Sequence, residues 1–372
     1  MKIAVVLGTR PEAIKLATII RALRNRSDWQ TLVVLTGQHQ EMVAQVMDLF
    51  AITPDRNLHI MQPRQTLTQI TCGSLTGLEP VLQEFAPHIL LVQGDTTTAF
   101  ASALAAFYQQ IPIGHVEAGL RTDHLFSPYP EEANRRLISQ IAQFHFAPTQ
   151  QAVANLHRSG VTGAIHLTGN TVIDALLHVA NLDLVPPQAD LFQQYRVILA
   201  TVHRRENWGA PLEQIARAFL AILDRFPDVA LLLPLHLNPA VRQPLQTLLA
   251  SHPRIRLCEP LDYSALVSAL KHCYLVMTDS GGLQEEAPSL GKPVLVLRDT
   301  TERPEAIAAG SAKLVGTDYN SIVEQGSALL RHRELYEQMA RVANPFGDGH
   351  ATDRILDVIA DLGKQLHLRK VS

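Results

Sequence analysis

The sequence has few cysteines and no long hydrophobic run. Its three cysteines, Cys72, Cys258 and Cys273, are odd in number and form no Cys-x-x-Cys spacing, so neither a disulfide framework nor a thiolate metal site is indicated. No apolar stretch approaches the roughly 20 residues of a membrane-spanning helix. The apolar run Met1–Leu7 is too short for a signal peptide. We therefore expect reduced thiols and a cytoplasmic protein.

An excess of charge of either sign is also missing. Lysine and arginine number 32 and aspartate and glutamate 35, which gives a formal net charge of −3. The charges are spread along the chain and form no basic face, so neither nucleic acid nor an anionic membrane is an expected partner. A chain of 372 residues, 47% of them hydrophobic, exceeds what one core usually holds. The composition therefore predicts a globular protein of two domains.

Several motifs that would define a cofactor, a metal or a nucleophile are absent. No Gly-x-Gly-x-x-Gly follows the first strand, and Gly291-Lys292-Pro293 lacks the rest of a P-loop. No His-Glu-x-x-His, cysteine cluster or Asp-x-Asp indicates a metal, and no Gly-x-Ser-x-Gly offers a serine nucleophile. The sequence therefore predicts neither a cofactor nor a metal.

Short aliphatic runs alternate with helix-length amphipathic segments along the chain. Ile3–Leu7 and Ile89–Val92 are examples from the first half, and Val197–Ala200 and Leu275–Thr278 from the second. Strands that alternate with helices predict parallel sheets covered by helices on both faces. Because such runs recur in both halves, the predicted fold class is α/β, with two Rossmann-like domains facing across a cleft.

The domain boundaries are predicted from breaks in this pattern. Thr168-Gly169-Asn170 marks the crossing, so the first domain spans residues 1–169 and the second 170–350. Pro345–Gly349 interrupts the chain before a final helix over residues 351–370. Apolar residues recur on one face of that helix, so we expect it to pack back onto the first domain.

One stretch combines the features of an anion site. In Tyr274–Ala287 a short apolar run leads through Ser280-Gly281-Gly282 into a segment of good helix formers. Adjacent glycines let backbone N–H groups approach a ligand, and a helix start presents free donors and a positive dipole end. The stretch suits a pyrophosphate, with Glu286 placed to bind a ribose diol. The alternative is that the glycines only make a tight turn.

Charged segments follow other predicted strands as well, and one pentapeptide occurs twice. Arg10–Ile14 and Arg303–Ile307 both read Arg-Pro-Glu-Ala-Ile. Proline and glutamate favour a helix start, which explains them fully. The two arginines lie just ahead of a helix amino end and suit an anionic ligand. Since ligands of open parallel sheets bind at the carboxyl ends of strands, these segments are candidate site loops.

Eight segments, in order along nearly the whole chain, carry a resemblance to a known family: Gly8–Ala13, Gly94–Thr98, His115–Thr122, Pro130–Arg135, His203–Asn207, Pro234–Pro239, Thr278–Glu286 and Thr301–Glu305. They resemble the bacterial, non-hydrolysing UDP-N-acetylglucosamine 2-epimerases. The resemblance implies a glycosyltransferase-B architecture, a homodimer, and interconversion of UDP-GlcNAc and UDP-ManNAc. It also implies elimination of UDP to a 2-acetamidoglucal, followed by re-addition.

The resemblance further implies a role for individual residues. Asp95, Glu117 and Glu131 form the acid/base set, and which of them is the base stays open. His203 acts at the diphosphate or in the proton relay. From the residues alone, Asp95 could be only a helix N-cap and Glu131 only a first-turn acid. The implied substrate-binding residues are Arg10 and Lys15 at the diphosphate, Ser280, Gly281 and Gly282 at the phosphates, Glu286 at the ribose, Arg303 at the nucleotide and Leu266 at the base.

Bacterial members of the family also bind a second, allosteric UDP-GlcNAc. The positions that match are Gln38, Arg64, Gln65, Glu131, Arg204 and His236. Two positions depart from the family pattern. Gln40 stands where arginine is usual, and Leu266 where an aromatic residue often faces uracil, so apolar contact replaces stacking there.

Three alternatives to the epimerase remain open from the sequence. A retaining glycosyltransferase of the same fold would also use a glycine turn and an acidic ribose ligand, but it would not need three carboxylates at first-domain strand ends. A hydrolysing epimerase would release free ManNAc and UDP. A non-catalytic sugar-nucleotide sensor would not need Asp95, Glu117 and Glu131 together.

Overall fold

The computed structural model describes residues 1–38, 40–62, 64–122 and 124–371. The chain forms two compact units: unit 1 comprises Met1–Ala175 and the segment from Gly347 to the end, and unit 2 comprises Leu176–Phe346. The boundaries expected at 169/170 and 350/351 lie a few residues from these divisions. Within the described part of the chain, no helix is both long enough and apolar enough to cross a membrane.

Unit 1 contains a seven-stranded parallel sheet with the order β3-β2-β1-β4-β5-β6-β7. Its strands are β1 (Lys2–Leu7), β2 (Gln30–Leu35), β3 (Arg56–Asn57), β4 (Ile89–Gln93), β5 (Ile113–Val116), β6 (Phe144–Ala147) and β7 (Ala164–Leu167). Its helices are α1 (Arg10–Arg24), α2 (Gln40–Leu49), α3 (Leu67–Phe85), α4 (Thr97–Tyr108), α5 (Glu131–Ile141), α6 (Gln150–Arg158) and, across the division, α7 (Thr171–Ala180).

The core of unit 1 is continuous on both faces of its sheet. Ile3–Leu7 in β1 is fully buried because helices cover both sides, as is usual for parallel strands. Space is restricted where β1 ends. A Cβ atom at Gly8 would lie 2.3 Å from Thr36 Oγ1 and 2.9 Å from Thr98 Oγ1, so only glycine fits there. The loop after β1 is therefore fixed against its neighbours.

Unit 1 also includes the last helix of the chain, α16 (Ala351–Val371), numbered after the helices of unit 2. Its residues Ile355 and Ile359 are fully buried. The carboxylate of Asp174, in α7, accepts hydrogen bonds from the backbone N–H groups of Ala351 and Thr352 at 3.2 and 2.7 Å. Asp174 thereby caps α16, although burial raises the pKa of this carboxyl.

Unit 2 contains a six-stranded parallel sheet with the order β10-β9-β8-β11-β12-β13. Its strands are β8 (Arg196–Thr201), β9 (Val229–Pro234), β10 (Ile255–Cys258), β11 (Leu275–Thr278), β12 (Val294–Val296) and β13 (Ala312–Leu314). Its helices are α8 (Ala189–Gln194), α9 (Ala210–Arg225), α10 (Pro239–Leu249), α11 (Tyr263–His272), α12 (Gly281–Glu286), α13 (Pro304–Ala309), α14 (Tyr319–Arg331) and α15 (Arg333–Ala340). The prediction of an α/β fold with two parallel sheets is confirmed.

Candidate active site

Each sheet has a topological switch point, where the strand order reverses. In unit 1 it lies between β1 and β4, and in unit 2 between β8 and β11. Ligands of open parallel sheets bind outside the carboxyl ends of the strands at such a point. The segments that follow these strands are residues 8–12 and 94–96 in unit 1, and 202–207 and 279–282 in unit 2. They contain many of the predicted site residues.

Glu117 follows β5 in unit 1, and hydrogen bonds hold its carboxylate. Its Oε1 accepts hydrogen bonds from Lys15 Nζ and, at 3.0 Å, from Asn170 Nδ2, and its Oε2 accepts one from Gln93 Nε2. The Glu117 side chain is only 7% exposed. Its backbone is left-handed, with φ of +63°, which costs about 1–3 kcal/mol for a residue other than glycine. Such strain is typical of functional sites.

Asp95 lies just after β4 and is bound to helix α5. Its Oδ2 accepts a hydrogen bond from Arg135 Nη2 at 2.6 Å, and its backbone carbonyl accepts one from Asn134 Nδ2 at 2.9 Å. Burial raises the pKa of the Asp95 carboxyl, and the charge of Arg135 opposes that rise. The N-cap of α4 is Thr96, whose hydroxyl accepts from Ala99 N at 2.9 Å. The alternative that Asp95 is only an N-cap is therefore wrong.

Two consecutive glutamates at the start of α5 have different environments. Glu132 is fully buried, and its carboxylate accepts from Thr122 N at 3.0 Å and from Arg136 Nε at 2.5 Å. Glu131 is partly exposed, and in the described part of the chain its carboxylate makes no hydrogen bond or ion pair. Its charge makes a minor contribution to the raised pKa of Asp95, which burial chiefly causes. Glu132 is structural, whereas Glu131 can serve a ligand.

Glu12 joins the two loops of the switch point in unit 1. Its Oε2 accepts from the N–H groups of Gly8 and Thr9 at 3.2 and 2.7 Å, and its Oε1 accepts from Thr96 Oγ1 at 2.9 Å. Burial raises the pKa of the Glu12 carboxyl, and these hydrogen bonds oppose the rise. The sequence explained Glu12 only as a favourable start of α1. Arg10, the first residue of α1, is partly exposed beside this junction.

The predicted allosteric residues of unit 1 lie in two places. Gln38 follows β2, and its Oε1 accepts a hydrogen bond from Thr98 Oγ1 at 3.0 Å, which holds it at the start of α4. Arg64 and Gln65 lie in the loop before α3. Arg64 is exposed, and the side chain of Gln65 donates to the carbonyl of Ile60 at 2.8 Å. Gln65 therefore shapes its own loop, whereas Gln38 contacts the switch-point region.

Asp279 is fully buried and holds the loops at the switch point of unit 2 together. Its Oδ2 accepts from the N–H groups of His203 and Arg204 at 2.9 and 2.8 Å and from Asn207 Nδ2 at 3.0 Å. These bonds fix the loop after β8. The His203 Nδ1 lies 3.6 Å from Asp279 Oδ1, and the rings of His203 and His236 are 6.1 Å apart. Three predicted residues, His203, Arg204 and His236, are thus brought together.

Arginines surround this edge and are joined by carboxylates. The buried Arg298 donates from Nε to Glu206 Oε1 at 2.5 Å and contacts Glu302 at 3.2 Å. Glu302 also accepts from Arg204 Nη2 at 3.3 Å. The pKa of the Glu302 carboxyl is lowered, because the arginines outweigh the opposing effect of burial. Glu302 thereby bridges Arg204 and Arg298 close to the glycine turn.

The glycine turn begins a very short helix. Ser280 is the N-cap residue of α12, which has six residues and continues into a 3-10 turn over Ala287–Leu290. A helix of this length has a weaker dipole than the sequence suggested. The backbone N–H groups of Gly281 and Gly282 remain suited to a phosphate, but the neighbouring arginines must supply most of the charge.

The remaining predicted residues of unit 2 lie on the same elements or close to them. Arg303 forms an ion pair with the buried Glu285. Glu286 is buried, and the hydroxyl of Tyr263 donates to its Oε1 at 3.4 Å. Leu266 is partly exposed. Glu286 lies on α12, which follows the glycine turn, and Leu266 lies on α11.

Sequence reasoning did not select several residues that hold the site. Gln93, Asn170 and Arg135 orient the predicted carboxylates in unit 1, and Asp279 and Asn207 orient the loop of His203 in unit 2. A polar residue that ends a buried strand, such as Gln93, was the available signal. No cluster of three or more metal-binding side chains occurs among the residues that the structure describes.

The fold and these edges define a doubly wound α/β protein of two units with a polar site at each switch point. The family model for UDP-N-acetylglucosamine 2-epimerase matches residues 21–360. The chain therefore belongs to the UDP-N-acetylglucosamine 2-epimerase family, and epimerases are isomerases.

Individual relatives support this assignment. The UDP-N-acetylglucosamine 2-epimerase of Escherichia coli K12 is 50% identical over 369 residues, which cover 96% of this chain and 98% of the relative. A crystal structure from Listeria monocytogenes, named as a candidate for the same enzyme, has 46% identity and a TM-score of 0.93, covering 98% of this chain and 97% of that one. The Neisseria meningitidis UDP-GlcNAc 2-epimerase bound to UDP-GlcNAc has 47% identity and a TM-score of 0.85, covering 97% and 100%.

Proposed function

We propose that this chain interconverts UDP-GlcNAc and UDP-ManNAc by eliminating UDP and adding it back. Family membership and the relative that was crystallised with UDP-GlcNAc support the substrate. The observation that supports this reaction type is the set of carboxylates at the strand ends of unit 1. Glu117 is fixed by Lys15, Gln93 and Asn170, and the partly buried Asp95 follows β4, which pairs with the strand β5 that precedes Glu117.

The chemistry of the sugar explains the need for elimination. The hydrogen on C2 is not acidic, because no carbonyl is adjacent to it, so simple removal and return of a proton is implausible. In elimination a base takes the C2 proton, the C2–H electron pair forms the C1–C2 double bond, and the C1–O electron pair leaves with UDP. Addition of UDP to the resulting 2-acetamidoglucal, with a proton delivered to the opposite face of C2, gives the epimer.

The environments of the carboxylates support different roles for them. Both oxygens of Glu117 accept hydrogen bonds, one of them from a lysine, so this group is arranged as an acceptor and suits the base. The raised pKa of Asp95 suits a group that carries a proton to C2. Glu131, at the start of α5, completes the set. Roles exchange in the reverse direction, since the reaction runs both ways.

The polar edge of unit 2 suits the departing diphosphate. Arg204 and Arg298 supply positive charge, and the turn at Ser280–Gly282 supplies backbone N–H groups. His203 is placed in the same loop as Arg204 and donates to the diphosphate as its charge develops. Acid/base groups contribute about 10²–10⁴-fold, so stabilisation of the leaving group must carry a large share. Glu286 binds the ribose, and Arg10 and Arg303 support the nucleotide.

The test is incubation with UDP-GlcNAc in D₂O without any acceptor. We expect deuterium at C2 and formation of UDP-ManNAc, and both can be detected by NMR and mass spectrometry. An unchanged sugar would exclude the epimerase and leave a glycosyltransferase or a sensor. Free ManNAc with UDP would instead identify a hydrolysing enzyme.

Association and regulation are proposed on the same family basis. We propose a cytoplasmic homodimer that a second UDP-GlcNAc activates through Gln38, Arg64, Gln65, Arg204 and His236. Exposed apolar side chains at the end of α4, Phe107 and Tyr108, support self-association. Analytical ultracentrifugation tests the dimer. A lag in the conversion of UDP-ManNAc that trace UDP-GlcNAc abolishes tests the activation, and linear kinetics without it would exclude this regulation.

A further inference from the structure

Asp279 and His203 come from neighbouring strands of unit 2. His203 follows β8 and Asp279 follows β11, and these strands pair with Thr201 opposite Thr278. The parallel register therefore places both residues at the switch point. Asp279 is fully buried, and its Oδ2 is saturated by two backbone N–H groups and the amide of Asn207.

The second oxygen of Asp279 is different. In the described part of the chain, Oδ1 is buried and has no hydrogen-bond partner. A buried carboxylate oxygen without a donor is costly, because it has lost water and gained nothing in exchange. The group that faces it is His203 Nδ1, at 3.6 Å. That distance is an ion-pair contact rather than a hydrogen bond, and such contacts commonly tighten when substrate binds.

We propose that Asp279 is a positioning residue for His203. It keeps a proton on Nδ1 and directs the opposite nitrogen, Nε2, toward the diphosphate. When His203 is also protonated on Nε2, the imidazolium lies between the Asp279 carboxylate and the leaving group and donates to both. This inference rests on the proposed function for the role of the diphosphate, but the orientation of the ring can be measured without turnover.

The surroundings of His203 favour the neutral ring unless Asp279 is charged. Burial lowers the pKa of His203, and the charges of Arg204, His236 and Arg298 lower it further, whereas Asp279 raises it. Removing the charge of Asp279 therefore lowers the pKa of His203. The limb of a pH–rate profile that belongs to His203 should move to lower pH in that variant.

The main experiment compares Asp279→Asn with wild type by NMR of ¹⁵N-histidine-labelled protein. The His203 signal is assigned from its loss in His203→Gln. In wild type we expect the neutral ring to carry its proton on Nδ1. In Asp279→Asn the amide can offer its NH₂ group to Nδ1, so the proton should move to Nε2. With activity as the readout, kcat should fall at least about 10²-fold while KM changes only a few-fold.

Asn207→Ala is the matched control, because it removes a hydrogen bond to the other oxygen of Asp279 and leaves the carboxylate in place. We expect it to lower thermal stability but to keep the Nδ1 proton of His203 and the position of the pH–rate limb. The proposal is overturned if wild-type His203 carries its proton on Nε2, which needs no variant to fold. It is also overturned if Asn207→Ala reproduces the proton shift.

The two proposals fail in different ways. Wild-type protein that does not exchange C2 deuterium would refute the epimerase, while the NMR result would still decide whether Asp279 orients His203. Normal epimerisation with an unchanged His203 proton in Asp279→Asn would refute only the positioning role.

Discussion

Replacement of Glu117 by glutamine should separate catalysis from binding. The change keeps the shape of the side chain but removes the charge that Lys15 faces, and one of the two former acceptors becomes an NH₂ group. Gln93 can reverse its own amide to match, whereas Lys15, only 16% exposed, loses its interaction with the negative charge of Glu117. Removing one member of a buried ion pair costs about 3–5 kcal/mol, and the remaining exposure of Lys15 favours the lower end.

A loss of about 3 kcal/mol leaves a domain of ordinary stability folded, because typical values are about 5–15 kcal/mol. For a unit of this size it corresponds to a fall in Tm of about 6–12 °C. Exchange of the C2 hydrogen should fall by about 10²–10⁴-fold, since the proposed base is lost. UDP binding should stay within a few-fold of wild type, because most of the proposed nucleotide contacts, those of Ser280–Gly282, Glu286 and Arg303, lie in unit 2.

The assay is C2 deuteration of UDP-GlcNAc by NMR, with calorimetric titration of UDP and a thermal melt on the same samples. Gln93→Met is the matched control, because it removes a donor to Glu117 but keeps the carboxylate, and it should retain far more exchange. A folded Glu117→Gln protein that binds UDP and exchanges C2 at close to the wild-type rate would refute the assignment of the base.

Three further predictions concern stability. Gly8→Ala should lower the free energy of unfolding, measured by urea denaturation, by about 1–3 kcal/mol, because its Cβ would lie 2.3 Å from a threonine hydroxyl. Gly73→Ala in α3 is the control, because its Cβ would meet its nearest atom at an ordinary 3.4 Å, and equal losses in the two variants would contradict this prediction. Burial lowers the pKa of His115 to about 3 and of His145 to about 4, so below pH 6.5 the unfolded chain binds protons that the folded chain does not. Between pH 7 and pH 5 the free energy of unfolding should therefore fall by about 2 kcal/mol per histidine, as measured by denaturant unfolding at each pH. A free energy that does not change with pH would refute this. Asp174→Asn should weaken the cap of α16 by about 1 kcal/mol, seen as faster hydrogen exchange in its first turn, whereas unchanged exchange there would deny the cap.

The two sheets could be predicted because buried parallel strands are nearly continuous apolar runs. Ile3–Leu7 and Leu275–Thr278 are such runs, and both are strands in the structure. The short strand β3, Arg56–Asn57, was missed, since two exposed polar residues leave no hydrophobic pattern. Its pairing with β2 depends on tertiary contact and cannot be read from local sequence.

The sequence supplied the candidate site residues but not the residues that hold them in place. The position of Asp95 after a buried strand suggested either a cap or a functional carboxylate, and only the structure shows that Thr96 is the cap. Glu12 was interpreted only as a helix-start residue. Its hydrogen bond with Thr96 joins two loops that are distant in sequence, so local sequence could not reveal it. The role of Asp279 could not be predicted from the glycine-turn motif, since its hydrogen-bond partners lie after a different strand, β8.

The location of α16 has a consequence for how the protein is made. Unit 1 is assembled from both ends of the chain, because Asp174 binds Ala351 and Thr352, and Thr352 bonds Thr18 in α1. Unit 2 is continuous and is synthesised in between. During translation unit 2 can therefore fold before α16, which unit 1 needs to complete its own fold, has been synthesised. Removal of α16 should therefore destabilise unit 1, which begins at the amino end, rather than unit 2.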